Sequence, residues 1–539
     1  MADAIKTNMA EKKEGSNCGR ELGLQELFYE TMNNRFDTSH YFEYAVLHAN
    51  YRITDEDLIA TLKILVNFQP FLRMKVAGKI ESDRPPTRKA PVDDPNTRLY
   101  FEPCEVDYKN VLRIRKRTSV DDLEEIVREE EIFLSRPERY GDGPRWRVVF
   151  NMPNYVNGRS TKSGDSYRYE LFFGMQHQFV DAVSGFDLVY RQLLPILIKV
   201  INNMPVDDVF LHPLDLTPTF EEEILGDAQS ADKRPAWYTK AGITLLRKVN
   251  KVFKSRHFGR PPIVSEGSPF PNEKGMGIFK YYFGESLVER ILYERKNHDV
   301  TVHSILLTGF SFAMIRLLLD QGLPVAKDII SGWPIDSRKK LPKYKSPQPL
   351  GMFVGTTGFT SMKVPRENRL DKDLFWKRAR KIARQVLKGV ENQHIKMQID
   401  LFAYVTEHLQ YEDFLQLFGE IGVNQHFGLS NLGKCSPGPE LDANIEKAVE
   451  ATEIYFGLHG NGSANVGFPF FITVLNHKGK MFFVCCYNKL WVKRDLAEKF
   501  LTYAEDILDK VCERASEMQA MDDKIPCKES SRSQKVICK

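Results

Sequence analysis

The sequence predicts an α/β (α+β) protein in two halves, on three observations. Strand-like alternation and helix-like periodicity follow one another along the chain. That series breaks between residues 216 and 275, where the composition shifts to acidic, then basic, then Gly/Pro/Ser-rich sequence. At 539 residues the chain also exceeds one ordinary hydrophobic core and suggests two domains of roughly 200 residues each.

The elements follow in order. Residues 1–20 are polar and read as a disordered N-terminus with no secretory signal. The N-terminal half, 21–215, opens with a strand over Tyr41–Leu47. Thr54-Asp-Glu-Asp57 then has the spacing of a capping box. The helix it starts places Leu58, Leu62 and Leu65 on one face and stops near Pro70. Pro144–Phe150 and Tyr167–Met175 read as strands separated by a Gly/Ser/Asn-rich loop, Asn154–Ser166. Ser184 is then placed to cap an apolar helix carrying Leu188, Leu194 and Leu197.

In the linker, 216–275, residues 237–260 hold seven basic residues between Lys240 and Arg260 and no acidic one there, with Leu245, Leu246, Val249, Val252 and Phe253 at helical spacing. This reads either as an amphipathic helix offering peripheral contact to an anionic membrane or as a helix packed on the protein itself. Strand character resumes at Tyr281, and the C-terminal half, 276–515, carries a second series. Its stretch Val302–Leu319 has the length of a membrane span, but His303, Arg316 and the following Asp320-Gln-Gly mark it as a buried core helix. The tail, 516–539, is polar and read as disordered.

A net charge of +4 gives no reason to expect nucleic-acid binding. The eight cysteines (18, 104, 435, 485, 486, 512, 527 and 538) form no C-x-x-C pair and no metal-like grouping. Reduced thiols in a cytoplasmic monomer are expected, with Cys485-Cys486 in the core.

Chemistry concentrates in Met175-Gln-His-Gln-Phe-Val-Asp-Ala-Val-Ser-Gly185. Tyr167, Tyr169, Leu171, Phe173, Met175 and His177 share one strand parity, which aims His177 inward if that face is buried. An imidazole at a strand end is a usual way to hold a general base.

Further segments fall in a telling order. They are Asn67-Phe-Gln-Pro-Phe-Leu-Arg73, Gly143-Pro-Arg-Trp-Arg-Val-Val-Phe150, Gln176-His-Gln-Phe-Val-Asp-Ala182, Asp299-Val-Thr-Val-His-Ser-Ile-Leu-Leu307, Trp333-Pro-Ile-Asp-Ser-Arg338 with Leu350-Gly351, and Gly428-Leu-Ser-Asn-Leu-Gly433. With these the chain resembles, over about residues 25–510, the chloramphenicol acetyltransferase-like superfamily with an H-x-x-x-D motif. That superfamily includes alcohol acetyltransferases, wax ester synthase/diacylglycerol acyltransferases, plant acyl-CoA-dependent acyltransferases and condensation domains.

The resemblance implies two chloramphenicol-acetyltransferase-like subdomains, each a mixed sheet flanked by helices, with an active-site channel between them. It implies His177 as general base in a direct ternary complex, and Asp181 as a structural residue, here assigned an ion pair with Arg338. Ser430 and Asn431 become candidates for polar contacts at the channel, although they equally fit a turn between Phe427 and Cys435. The implied partners are acyl-CoA as co-substrate, with no bound cofactor and no metal, and a hydrophobic alcohol or lipid acceptor. Two alternatives stay open: a condensation-type N-acyltransferase fed by a carrier-protein thioester, and a non-catalytic relative binding a lipid or a partner. The sequence departs from the family pattern at Gln176, where a first histidine is usual, and at Ala182, where glycine is usual. It also lacks the plant branch's Asp-Phe-Gly-Trp motif.

Overall fold

Two sheets, side by side, carry the molecule. The computed structural model describes residues 19–36, 40–80, 97–117, 123–134, 143–164, 166–225, 275–338, 341, 348–365, 371–391, 399, 425–435, 446, 448–459, 469–489 and 492–513. The basic stretch 237–260, residues 1–18 and the tail 516–539 lie outside them. At the other end of the expected disordered N-terminus, Arg20 is ordered: it pairs with Phe101.

In chain order the strands are β1 (Arg20–Glu21), β2 (His40–Ala49), β3 (Met74–Ile80), β4 (Thr97–Pro103), β5 (Leu112–Lys116), β6 (Trp146–Met152), β7 (Tyr155–Val156), β8 (Arg159–Ser160) and β9 (Tyr167–Gln176). After the linker come β10 (Met276–Phe283), β11 (Asp328–Asp336), β12 (Val354–Lys363), β13 (Phe427–Lys434), β14 (Val449–His459), β15 (Phe470–His477) and β16 (Lys480–Asn488). The first large sheet has the order β14-β2-β9-β6-β5, the second β10-β16-β15-β13-β11-β12. Both are mixed: β5–β6, β11–β13 and β13–β15 are parallel and the other pairs antiparallel. β14 lies in the C-terminal part of the sequence but in the first sheet in space, running antiparallel to β2 from Val449↔Ala49 to His459↔His40.

Local chemistry explains the elements that bear on the site. Thr54 and Asp57 close the capping box of helix Asp55–Phe68, and Leu58, Leu62 and Leu65 are buried along it. Pro70 ends it, because proline brings no N–H to continue the ladder. Helix Val302–Asp320 is long and apolar enough to cross a membrane, yet 78% of that window is buried in the protein. It packs in a core with helices Lys372–Glu391 and Arg494–Cys512 and with Cys485.

Two sequence expectations change. Every residue of β9 from Tyr169 to Gln176 is buried, so parity did not select an inner face. A central strand covered on both sides has no solvent face to reveal. Helix initiation after the motif also differs. Asp181 is the N-cap and Ser184 closes the box from the third position. The chain then widens into a π-turn over Asp187–Leu193 before Leu194–Ile201. Pro195 accounts for the widening, since it lacks an N–H and its ring would press on the preceding turn.

Candidate active site around His177

β9, the central strand of the first sheet, delivers His177 into a short 3-10 turn, His177–Phe179, at its C-terminal end. The residue is 6% exposed. Its Nδ1 lies 2.6 Å from the Val180 carbonyl oxygen. A carbonyl only accepts, so Nδ1 carries the proton and Nε2 keeps its lone pair. Burial pushes the imidazole pKa down, against smaller upward pulls from the Val180 carbonyl and the Asp181 charge. Two tyrosine rings neighbour it: Tyr29 of helix Leu24–Phe36 at 4.4 Å and Tyr41 of β2 at 6.1 Å between centroids.

Asp181 does not touch that imidazole. Its Oδ1 and Oδ2 accept from Arg338 Nη2 and Nη1 at 2.9 and 3.0 Å. Ser184 N donates to Oδ1 at 3.0 Å and Phe353 N to Oδ2 at 2.8 Å. Burial raises the Asp181 pKa, but the Arg338 charge and these hydrogen bonds outweigh it and hold the carboxyl below its ordinary value. Arg338 is itself fixed by Asp336 at 3.0 Å, Gln348 Oε1 at 2.9 Å and the Phe353 ring at 4.5 Å.

No protein-family model matches the chain, and no curated protein matches it by sequence. Solved structures do match by shape. A trichothecene 15-O-acetyltransferase from Fusarium sporotrichioides aligns with a TM-score of 0.61 at 11% identity, over 92% of this chain and 94% of that one. The epimerization domain from the third module of tyrocidine synthetase B gives 0.55 at 11%, over 93% and 99%. A wax ester synthase/diacylglycerol acyltransferase from Marinobacter aquaeolei VT8 gives 0.51 at 11%, over 91% and 99%.

The protein has the chloramphenicol acetyltransferase-like fold.

Within this fold the two halves are stitched together beside the motif by contacts that sequence reasoning missed. Gln69 Nε2 donates to the Gln348 carbonyl at 2.8 Å and to Gln192 Oε1 at 2.7 Å, and its Oε1 accepts from Leu350 N at 3.1 Å. Gln192 donates to the same Gln348 carbonyl, and Asp187 accepts from both Gln348 N and Gln192. Asp187 and Gln192 meet because the π-turn brings residues five apart onto one face. Asp181 N and Ser184 Oγ both reach the Gly351 carbonyl. Gln69, Asp181, Ser184 and the Leu350-Gly351 turn lay in segments the sequence singled out, whereas Asp187, Gln192 and Gln348 had no signal there.

The two departures have local explanations. Gln176 Oε1 accepts from Gln178 Nε2 at 2.7 Å and Arg145 Nη1 at 3.2 Å. Gln178 in turn bonds Glu30 and Asn33 on the helix that carries Tyr29. The amide oxygen thus accepts from two donors at once, whereas a neutral imidazole would offer a single acceptor nitrogen. Ala182 is the first residue of its helix and is not among the positive-φ residues described, so no glycine is required there.

Ser430 and Asn431 lie within β13, opposite Thr473 and Val474 of β15. Asn431 Oδ1 accepts from Gly433 N at 2.8 Å, shaping the bulge that ends in Gly433 at φ 76°. Neither makes a hydrogen bond to His177 among the described residues.

Proposed function

We propose that the protein is an acyltransferase that moves an acyl group from an acyl-CoA thioester to the hydroxyl of a hydrophobic alcohol or lipid, with His177 as general base. One observation carries this reading: a buried, neutral imidazole whose Nδ1–H is engaged by Val180, which leaves Nε2 as a base. In the reaction Nε2 takes the acceptor's proton as its oxygen attacks the thioester carbonyl. The tetrahedral intermediate collapses with cleavage of the C–S bond, and the departing sulfur receives the proton from Nε2. Asp181 takes no proton, because Arg338, Ser184 and Phe353 occupy both of its oxygens. It holds the turn that holds the base.

Under this reading acyl-CoA is the co-substrate, no bound cofactor takes part, and the protein works as a cytoplasmic monomer. Residues 237–260 are the segment to test for peripheral membrane contact. The second reading is a condensation-type N-acyltransferase that takes its acyl group from a carrier-protein thioester and passes it to an amine.

The test measures free CoA and ester from a panel of acyl-CoAs and alcohols, with wild type, His177→Ala and His177→Gln. Transfer by wild type, reduced roughly 10²–10⁴-fold in both variants, supports the base. Equal CoA release by all three sinks it.

A further inference from the structure

Behind His177 lies a buried carboxyl to which acyl transfer assigns no task. Glu43, on β2, is 1% exposed. Its Oε1 accepts the Tyr41 hydroxyl and Oε2 has no partner, while the nearby Tyr190 hydroxyl donates to the Tyr44 carbonyl at 3.4 Å. The groups facing it are Tyr41 from its own strand, Tyr190 from the π-turn and the Cys435 thiol from the end of β13. Its cross-strand neighbours are Phe173 and Phe456. None of these is a cation, and Arg191, which acts on Cys435, is engaged by Asp187.

Tyr41 links this carboxyl to the site. Its ring lies 25° from parallel with the His177 ring, at 6.1 Å. It also packs on the backbone of Gly185, where any Cβ would collide with it, and its hydroxyl is 3.4 Å from the Ala182 carbonyl oxygen. The ring thus touches both ends of the turn from His177 to Gly185 and is tied at its hydroxyl by Glu43.

We propose that Glu43 is a positioning residue for His177: by holding the Tyr41 hydroxyl, its carboxyl fixes the ring against which the imidazole rests. The proposal rests on His177 being the base of acyl transfer. The geometry asks of Glu43 an acceptor oxygen for the Tyr41 hydroxyl, not a charge. Burial pushes the Glu43 pKa well above the usual range, outweighing the Tyr41 hydroxyl, and an ionised Oε2 would be a bare buried charge. A glutamine carbonyl supplies the same acceptor, so charge is dispensable where shape and hydrogen bonding are not.

Wild type, Glu43→Gln, Glu43→Ala and Tyr41→Phe are compared for CoA release from palmitoyl-CoA with hexadecanol. In parallel, nitrogen-15 histidine NMR reads the His177 tautomer, assigned by its absence in His177→Gln. Glu43→Gln is expected to keep kcat within about 2-fold, while Glu43→Ala and Tyr41→Phe lower kcat about 10- to 100-fold at unchanged KM. In those last two variants the Nδ1–H signal is expected to give way to a mixture of tautomers. Wild-type kcat and tautomer in Glu43→Ala and Tyr41→Phe would overturn the proposal. So would equal loss in Glu43→Gln and Glu43→Ala, which would require the anion. Should Glu43→Ala not fold, Tyr41→Phe carries the comparison. If wild type releases no CoA from any donor or acceptor in the panel, acyl transfer fails as the function, and the tautomer comparison alone decides the positioning role.

Discussion

Arg338 binds Asp181 through both Nη atoms, at 2.9 and 3.0 Å, from the opposite half of the molecule. The pair is buried at both ends, with side-chain exposures of 7% and 1%. It belongs to a latch that also holds the Asp187 carboxylate and the neutral Gln69, Gln192, Gln348 and Gly351 carbonyl. Breaking the pair from one side strands an uncompensated charge.

Asp181→Asn is therefore expected to lose about 3–5 kcal/mol at neutral pH, and the double variant Asp181→Asn/Arg338→Met to lose less than the sum of the two single losses. The Asp181 pKa lies below its unfolded value, so its contribution is fully present above the ordinary carboxylate pKa of about 3.9 and is lost as pH falls through the folded value. Urea unfolding at pH 7 and at pH 3.5 checks this. The gap between wild type and variant should be narrower at the lower pH.

His177 has linkage of the same sign, from a different cause: burial lowers its pKa, where the Arg338 charge and hydrogen bonds lower that of Asp181. The folded base therefore stays neutral below the ordinary histidine value of about 6.5. The acid limb of kcat/KM should have its midpoint below that value. The unfolded chain takes up the proton first, so stability contributed by this group is present at higher pH and declines as pH falls from about 6.5 to the folded value. Chemical denaturation of wild type and His177→Gln across that window isolates the contribution; the slope difference should vanish above pH 7.

Gln176→His restores the residue more usual in the resembling family but offers a single acceptor nitrogen where Arg145 and Gln178 share an oxygen. The expected result is a loss of about 1–3 kcal/mol with no gain in transfer rate. Thermal unfolding together with the CoA-release assay tests both parts. A faster, equally stable variant would mean that the network is incidental.

Gln69→Leu keeps the apolar bulk of the side chain but leaves Leu350 N without its acceptor and Gln192 Oε1 without its donor. Each stranded buried group costs about 1–3 kcal/mol. Hydrogen exchange at Leu350 should accelerate well beyond the change at β16, which lies away from the latch. Uniform acceleration would point to global destabilisation instead.

Much of the fold was legible because its signals are local. The capping box at Thr54, the proline stop at Pro70 and the polar breaks in an otherwise apolar Val302–Leu319 each act within a turn or two of chain. The pairing of Asp181 with Arg338 came from resemblance, since no spacing rule joins residues 157 apart. Ser184 was misplaced as a helix cap because Asp and Ser are both good caps, and only the backbone decides which of them stands at the boundary.

What the sequence by itself determined is the alternation of strands and helices, the buried character of its apolar helix, and a histidine at the end of a strand. Tertiary structure decided which sheet β14 joins, which oxygens Asp181 gives to which donors, and that Gln69, Gln348, Tyr41 and Glu43 surround the motif. The division has a physical cause. Propensity, capping and periodicity are set by neighbours in the chain, whereas buried polar groups take whichever partners the packed halves bring within hydrogen-bond reach.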